Sequence, residues 1–200
     1  MTPYERAMSD IEDERHPPQA EWFFAELSVL RERWDVFTHP FYARWSAGEV
    51  AAGELRDYAE EHDHLVLALA TVAARAAHKA DGLLGDVLAA HVHVVEERVA
   101  QWREFAEETG WGAGTAWHYA AEAYPATLEC VSTWLGQPSR SLAIDLVTLA
   151  AAEPEPDPVI RAGLAGLLPD EDPFALLAHA EAVHRAYWSV LDAIEGAART

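Results

Sequence analysis

HPFYARWSAGEVAAGELRDYAEEHDHLVLAL, from His39 to Leu69, is written in the three- and four-residue spacing of amphipathic helices. His39-Pro40 opens a helix, because proline lacks only an N–H that a first turn leaves unpaired anyway. Gly53 marks the break before the next one. The spacing predicts helices over about 40–47 and about 52–79. In the longer one, Leu55, Tyr58, Ala59, His62, Leu65, Val66 and Leu69 share a face, with Glu61 at its border. An imidazole and a carboxylate turned toward an apolar interior are the first candidates for chemistry, since buried charge is expensive.

The same spacing runs from about Pro18 to the end, and no long alternating run suggests strands. Further helices are predicted over about 19–36, 83–109, 115–135, 139–152, 157–168 and 172–196. Gly82, Gly110 and the Gly136-Gln137-Pro138 stretch punctuate them. The EPEPDP run, Glu153 to Pro158, removes three backbone donors in six residues and makes a stiff connector. No 20–50-residue repeat is visible, which disfavours a solenoid. The expectation is one all-α domain over 1–200, with 1–18 irregular.

The chain has 200 residues, half of them apolar, enough for one core without covalent staples. Its one cysteine, Cys130, rules out an intramolecular disulfide and the paired thiolates of most structural zinc sites. MTPYERAMSDIEDERHPP at the N-terminus carries charges and no apolar run, so it is no signal peptide, and no segment is apolar enough to span a bilayer. A cytoplasmic protein is expected. The net charge of -20 repels phosphate backbones and anionic membranes, which argues against nucleic-acid and membrane partners.

On the helix 83–109, Leu84, Val87, Leu88, His91, Val94, Val95, Arg98 and Trp102 form one stripe, so His91 and Arg98 are expected to point inward together. His93, Glu96, Glu97 and Arg103 fall off it. On the last helix, His179 accompanies Leu176, Val183, Tyr187 and Val190, and His184 lies near Leu177, Trp188 and Leu191. A lone histidine on an apolar face is commonly hydrogen-bonded and silent. Four of them with an arginine and a carboxylate would each need a buried partner, which makes a shared site worth testing. The pairs His91/His93 and His62/His64 are two residues apart, face different ways on a helix, and are no metal motif. The eight tryptophans read as core and helix-contact residues rather than as a stacking platform.

His39–Leu69, with FYARWSAGE as its most specific piece, resembles the entry helices of the heme-oxygenase-like proteins, which include the diiron oxidases related to CADD, the quinone-cofactor synthase PqqC and the thiaminase TenA. VAQWREFAEETGW (Val99–Trp111), SLAIDLVTLAAAE (Ser141–Glu153) and EDPFALLAHAEA (Glu171–Ala182) extend the resemblance over most of residues 20 to 190. It implies a bundle of about seven helices around a central pocket for a small-molecule substrate, often in a homodimer. The chain also resembles a shortened member without a long closing helix, and apolar surface left by that would favour self-association.

The iron-binding members carry a glutamate and, seven residues on, a histidine in the third core helix. They add a later glutamate and a terminal H-x-x-x-D-x-x-H. Carried over, Glu153 matches the later glutamate and His179 the first terminal histidine. His91 and Arg98 stand where the first pair belongs, and Val183 and Ala186 replace the terminal aspartate and histidine, with Glu181 and His184 close by. A diiron set is incomplete. His91, Glu153 and His179, with His184 as a further candidate, would still supply the donors of a mononuclear iron site, and Arg98 a fork for a substrate carboxylate. The leading expectation is therefore an iron-dependent oxidase or oxygenase acting on a small polar, carboxylate-bearing metabolite. A metal-free enzyme of the PqqC or TenA kind, using Glu61, His62 and His184 as acid–base groups, is the alternative. The histidine of HRAYW, where TenA-like enzymes have glutamate, and the absence of a clear counterpart to their nucleophilic cysteine speak against thiaminase chemistry. A non-catalytic binding or partner subunit on the same bundle is the third. Heme degradation is disfavoured, because His39 at a helix junction is a poor proximal ligand.

Overall fold

The computed structural model describes residues 18–110, 123–153 and 157–197. Among these lie eight α-helices: α1 (Pro18–Arg33), α2 (Pro40–Ser46), α3 (Ala52–Lys79), α4 (Gly82–Glu108), α5 (Pro125–Leu135), α6 (Leu142–Ala152), α7 (Pro158–Leu167) and α8 (Pro173–Ala197), with short 3-10 turns at Val36–Thr38 and Leu168–Asp170. No strand occurs among the described residues. The expected all-α bundle is the observed one. Residues 1–17, and the first part of the helix expected over 115–135, lie outside the described residues.

The boundaries follow from local chemistry. Proline is the first residue of α2, α5, α7 and α8, where its fixed φ suits the helix and its missing donor is not needed. The imidazole of His39 accepts the Phe41 N–H, the Ser141 hydroxyl the Ile144 N–H, and the Asp157 carboxylate the Val159 N–H, at 3.1, 3.3 and 2.8 Å. Each satisfies a donor that a helix start leaves orphaned. Gly136 ends α5 at φ 51°, and a Cβ there would lie 2.7 Å from Arg140 Nη1, so both backbone and space demand glycine.

α3 and α4 form a long hairpin, and α8 packs against α1, α3, α5 and α6. α6 is the innermost element, with every residue from Leu146 to Ala151 buried. Phe23, Phe41, Leu65, Leu88, Leu149, Ile160, Leu164 and Leu191 are among the fully buried side chains around it. Each contributes roughly 1.5–3 kcal/mol relative to exposure. The apolar sequence of α6 is broken by Asp145, whose carboxylate has no exposure. Arg75, Lys79 and Arg140 all reach it, tying α6 to α3 and to the α5–α6 connection. No helix among the described residues is long and apolar enough to cross a membrane.

Candidate functional site

α3, α4 and α8, with the end of α1 and the end of α6, line a partly open cavity of about 810 Å3. Its wall carries many aromatic rings, Trp34, Phe37, Tyr42, Tyr58, Trp102, Phe105, Trp134 and Tyr187. Set among them are His62 and His184, the cations Arg31 and Arg98, and the carboxylates Glu32, Asp35 and Glu153. Trp34, Trp102 and Trp134 line this cavity, and Trp134 is at the same time part of the buried core, with Trp102 packed against it.

Helical register places His62. It follows Tyr58 by one turn on α3, stacks on that ring and meets Trp102 of α4 edge-on. Its Nδ1 lies 3.4 Å from the Tyr58 hydroxyl and 3.3 Å from that of Tyr187, and the Tyr42 and Tyr58 hydroxyls are 2.8 Å apart. Burial pushes His62 down to about 4, only partly opposed by Asp63. The same burial raises Tyr58 and Tyr187. At neutral pH this end of the cavity is therefore an uncharged hydrogen-bonding cluster.

The other polar group is charged. Glu153 caps the end of α6 in extended backbone and is 2% exposed. Its Oε1 lies 3.3 Å from His91 Nε2 and 3.3 Å from Arg98 Nη1. His91 Nδ1 lies 3.3 Å from Asp157 on the other side. These are ion-pair distances, but the atoms of His91 and Glu153 lie off the lines that hydrogen bonds require, and neither side chain has such a partner. Burial alone would lower His91; Asp157 and Glu153 overcome it and push the imidazole up to about 9. It is a cation clamped between two carboxylates. His184 is also buried, its Nε2 unpartnered, and burial with the Arg31 charge lowers it to about 4. The indole N–H groups of Trp34 and Trp102 are likewise buried without partners.

The expected residues divide accordingly. His62, Arg98, Glu153 and His184 line the cavity, and His91 stands behind Glu153. Arg98 is less buried than its stripe suggested: its side chain is 51% exposed while it lines the cavity, with Nη1 beside Glu153. Glu61 is buried but turned away from the cavity. Both its oxygens accept the Tyr124 N–H, at 3.2 and 3.1 Å, at the start of α5, where a carboxylate also meets the positive end of the helix dipole. His179 is not brought to His91 and Glu153. Its Nε2 lies 2.9 Å from the Thr148 hydroxyl, beside the Arg140–Asp145 pair, and burial with the Arg140 charge lowers it to about 4.

The convergence expected for one iron ion, His91 with Glu153 and His179, is therefore absent, and no group of three or more His, Cys, Asp or Glu able to hold a metal occurs among the described residues. His91 has a carboxylate at each ring nitrogen and Arg98 adds a second cation, which repels a metal ion. These residues do not fit iron. Cys130 is fully buried and its thiol is pushed up by burial, so no thiolate is ready for nucleophilic attack. His39 caps α2 and contacts Asp192 at 3.2 Å, a structural role.

Sequence reasoning passed over Asp157, the tyrosine hydroxyls and the two indole donors. Tyr58 one turn before His62 was the available signal for the hydroxyl cluster. The pairing of Asp157 with His91 joins elements far apart in sequence and had none.

No curated protein matches the chain. The model of the TENA/THI-4/PQQC family matches residues 27–136, more than half of it, from within α1 to the end of α5, including His62, His91 and Arg98. With the all-helical bundle, this match shows that the chain belongs to the TENA/THI-4/PQQC family, a branch of the heme-oxygenase-like superfamily.

Proposed function

We propose that this protein is a cytoplasmic small-molecule enzyme that encloses an aromatic, acid-bearing metabolite in the cavity and acts on it by proton transfer. The observation that carries this reading is the neutral cluster on the cavity wall, where His62 Nδ1 lies 3.4 and 3.3 Å from the Tyr58 and Tyr187 hydroxyls among aromatic rings. The aromatic wall selects a planar body. Arg98 supplies the cation for an acid group on a wall that also carries Arg31 and the carboxylates of Glu32, Asp35 and Glu153.

In this scheme His62 and His184 are neutral imidazoles able to pass a proton at Nδ1 or Nε2, and the Tyr58 and Tyr187 hydroxyls extend that path. Arg98 orients the acid group. Glu153, held by His91, is the base facing the occupant. No step passes through a metal.

Titration with a panel of aromatic carboxylates, followed by intrinsic tryptophan fluorescence, tests the reading. Saturable quenching is expected, weakened by at least about tenfold in Arg98→Ala, the loss of one charge-assisted contact. No saturable change with any member of the panel would contradict it.

A further inference from the structure

Resting on that reading of the cavity, we propose that the occupant carries a carbonyl whose oxygen accepts a hydrogen bond from His62 Nε2, so that the substrate class is an aromatic oxo acid. The Nδ1 side of the ring is already committed. Nδ1 lies 3.4 Å from the Tyr58 hydroxyl and 3.3 Å from the Tyr187 hydroxyl, and both hydroxyls keep their protons at neutral pH. A phenol is a stronger hydrogen-bond donor than an imidazole N–H, and an imidazole nitrogen is a stronger acceptor than a phenol oxygen. One of the two hydroxyls therefore donates to Nδ1. A neutral imidazole holds a single ring proton, which this arrangement places on Nε2.

Nε2 is the open end of the ring. It makes no hydrogen bond among the described residues, and unlike Nε2 of His184 it is not sealed from the surface. His62 is half-buried and lines the cavity. Its ring stacks on Tyr58 at 5.2 Å and meets Trp102 edge-on at 4.6 Å, with Tyr187 at 6.2 Å, so its neighbours oppose a flip that would exchange the two nitrogens. An N–H held in this way calls for an atom that only accepts. A hydroxyl or an amine brings hydrogens of its own, for which the aromatic wall offers no acceptor, whereas a carbonyl oxygen has two lone pairs and no hydrogen. Being uncharged, it also suits an uncharged cluster. The acid group of the same molecule goes to Arg98, which stands one turn before Trp102 on α4.

Calorimetric titration of the full chain with two ligand series tests this. One is benzoylformate, mandelate and phenylacetate; the other is 3-benzoylpropionate, 4-hydroxy-4-phenylbutyrate and 4-phenylbutyrate. Within each series the ring and the acid stay the same while the carbonyl becomes a hydroxyl or a methylene. In at least one series the oxo acid should bind more tightly than both counterparts by about fivefold or more, the worth of one hydrogen bond. His62→Phe should remove that preference, and Arg98→Ala should weaken all three members while keeping it. Long-range proton–nitrogen correlation spectra of the histidine rings should show the His62 proton on Nε2 and a shift of that nitrogen when the oxo acid binds. The ligand comparison on the unaltered protein stands even if His62→Phe fails to fold. Oxo acids binding no more tightly than their counterparts, a preference that survives His62→Phe, or a His62 proton on Nδ1 would each overturn the carbonyl and leave the aromatic-acid reading standing. No binding by any of the six would overturn both.

Discussion

At the scale of single residues, the histidines set how stability depends on pH. His62, His179 and His184 are each lowered from 6.5 to about 4 by burial. The unfolded chain binds protons there that the fold refuses, so their contribution is complete above about pH 6.5 and is lost as pH falls toward 4. His91 is raised from 6.5 to about 9 and acts oppositely, stabilising fully below 6.5 and losing that contribution as pH rises through 9. Urea denaturation across pH 4 to 10 should therefore give a midpoint that peaks near neutrality and falls on both sides. A profile flat from pH 7 down to 5 would contradict the burial of these imidazoles. His62→Gln should shallow the acid limb. Much of this residue-level chemistry was legible in advance, because His62, His91 and His184 lie on apolar stripes. The contacts that distinguish His91 from His179 were not. Periodicity says which way a side chain faces but not which neighbouring helix meets it, so Glu153 at the end of α6 meets His91 as expected, whereas His179 meets Thr148 of α6 instead.

Between elements, two buried carboxylates on different helices give contrasting predictions. Asp145 of α6 is matched by Arg75, Lys79 and Arg140, with no exposure of its carboxylate. Asp145→Ala leaves three cations crowded without their counter-charge and should destabilise the fold by about 3–5 kcal/mol, read from denaturant midpoints. Glu61 holds the start of α5 through the Tyr124 N–H. Glu61→Gln should cost only about 1 kcal/mol, as the loss of a helix cap does, and should leave ligand affinity unchanged. A loss of affinity with unchanged stability would return Glu61 to the site. Many helix boundaries were readable because proline and glycine punctuate them: Pro40, Pro158 and Gly82 stand at observed starts, and Gly136 at an observed end, whereas α5 begins only at Pro125, after non-helical Ala123 and Tyr124, and α6 at Leu142, three residues later than expected. Asp145 was not singled out beforehand, since a lone aspartate in LAIDLVTLAAA shows nothing of the cations that reach it from α3 and from before α6.

For the whole molecule, the cavity is the proposed site and the iron set is unassembled. Exhaustive treatment with a chelator should leave ligand affinity unchanged, and loss of binding that iron restores would return the metal to the centre of the mechanism. Trp22 and Phe174 pair at 5.3 Å on the surface, 37% and 69% exposed, and apolar surface of this kind suits the homodimer that the family resemblance implies. Sedimentation at micromolar concentration should then give about twice the chain mass, and a species of 22.1 kDa alone would contradict it. The central claim, that this cavity receives an acid-bearing aromatic molecule, is tested most directly by the indole N–H resonances of the eight tryptophans during titration with the tightest ligand found. Trp34 and Trp102 line the cavity and their Nε1 atoms have no hydrogen-bond partner, whereas Trp134 already donates to the Val183 carbonyl at 3.3 Å. The Trp34 and Trp102 signals, assigned by Trp34→Phe and Trp102→Phe, should move first and furthest, with Trp22 unchanged. Shifts confined to Trp22 or other surface tryptophans at saturating ligand, with Trp34 and Trp102 stationary, would contradict the account.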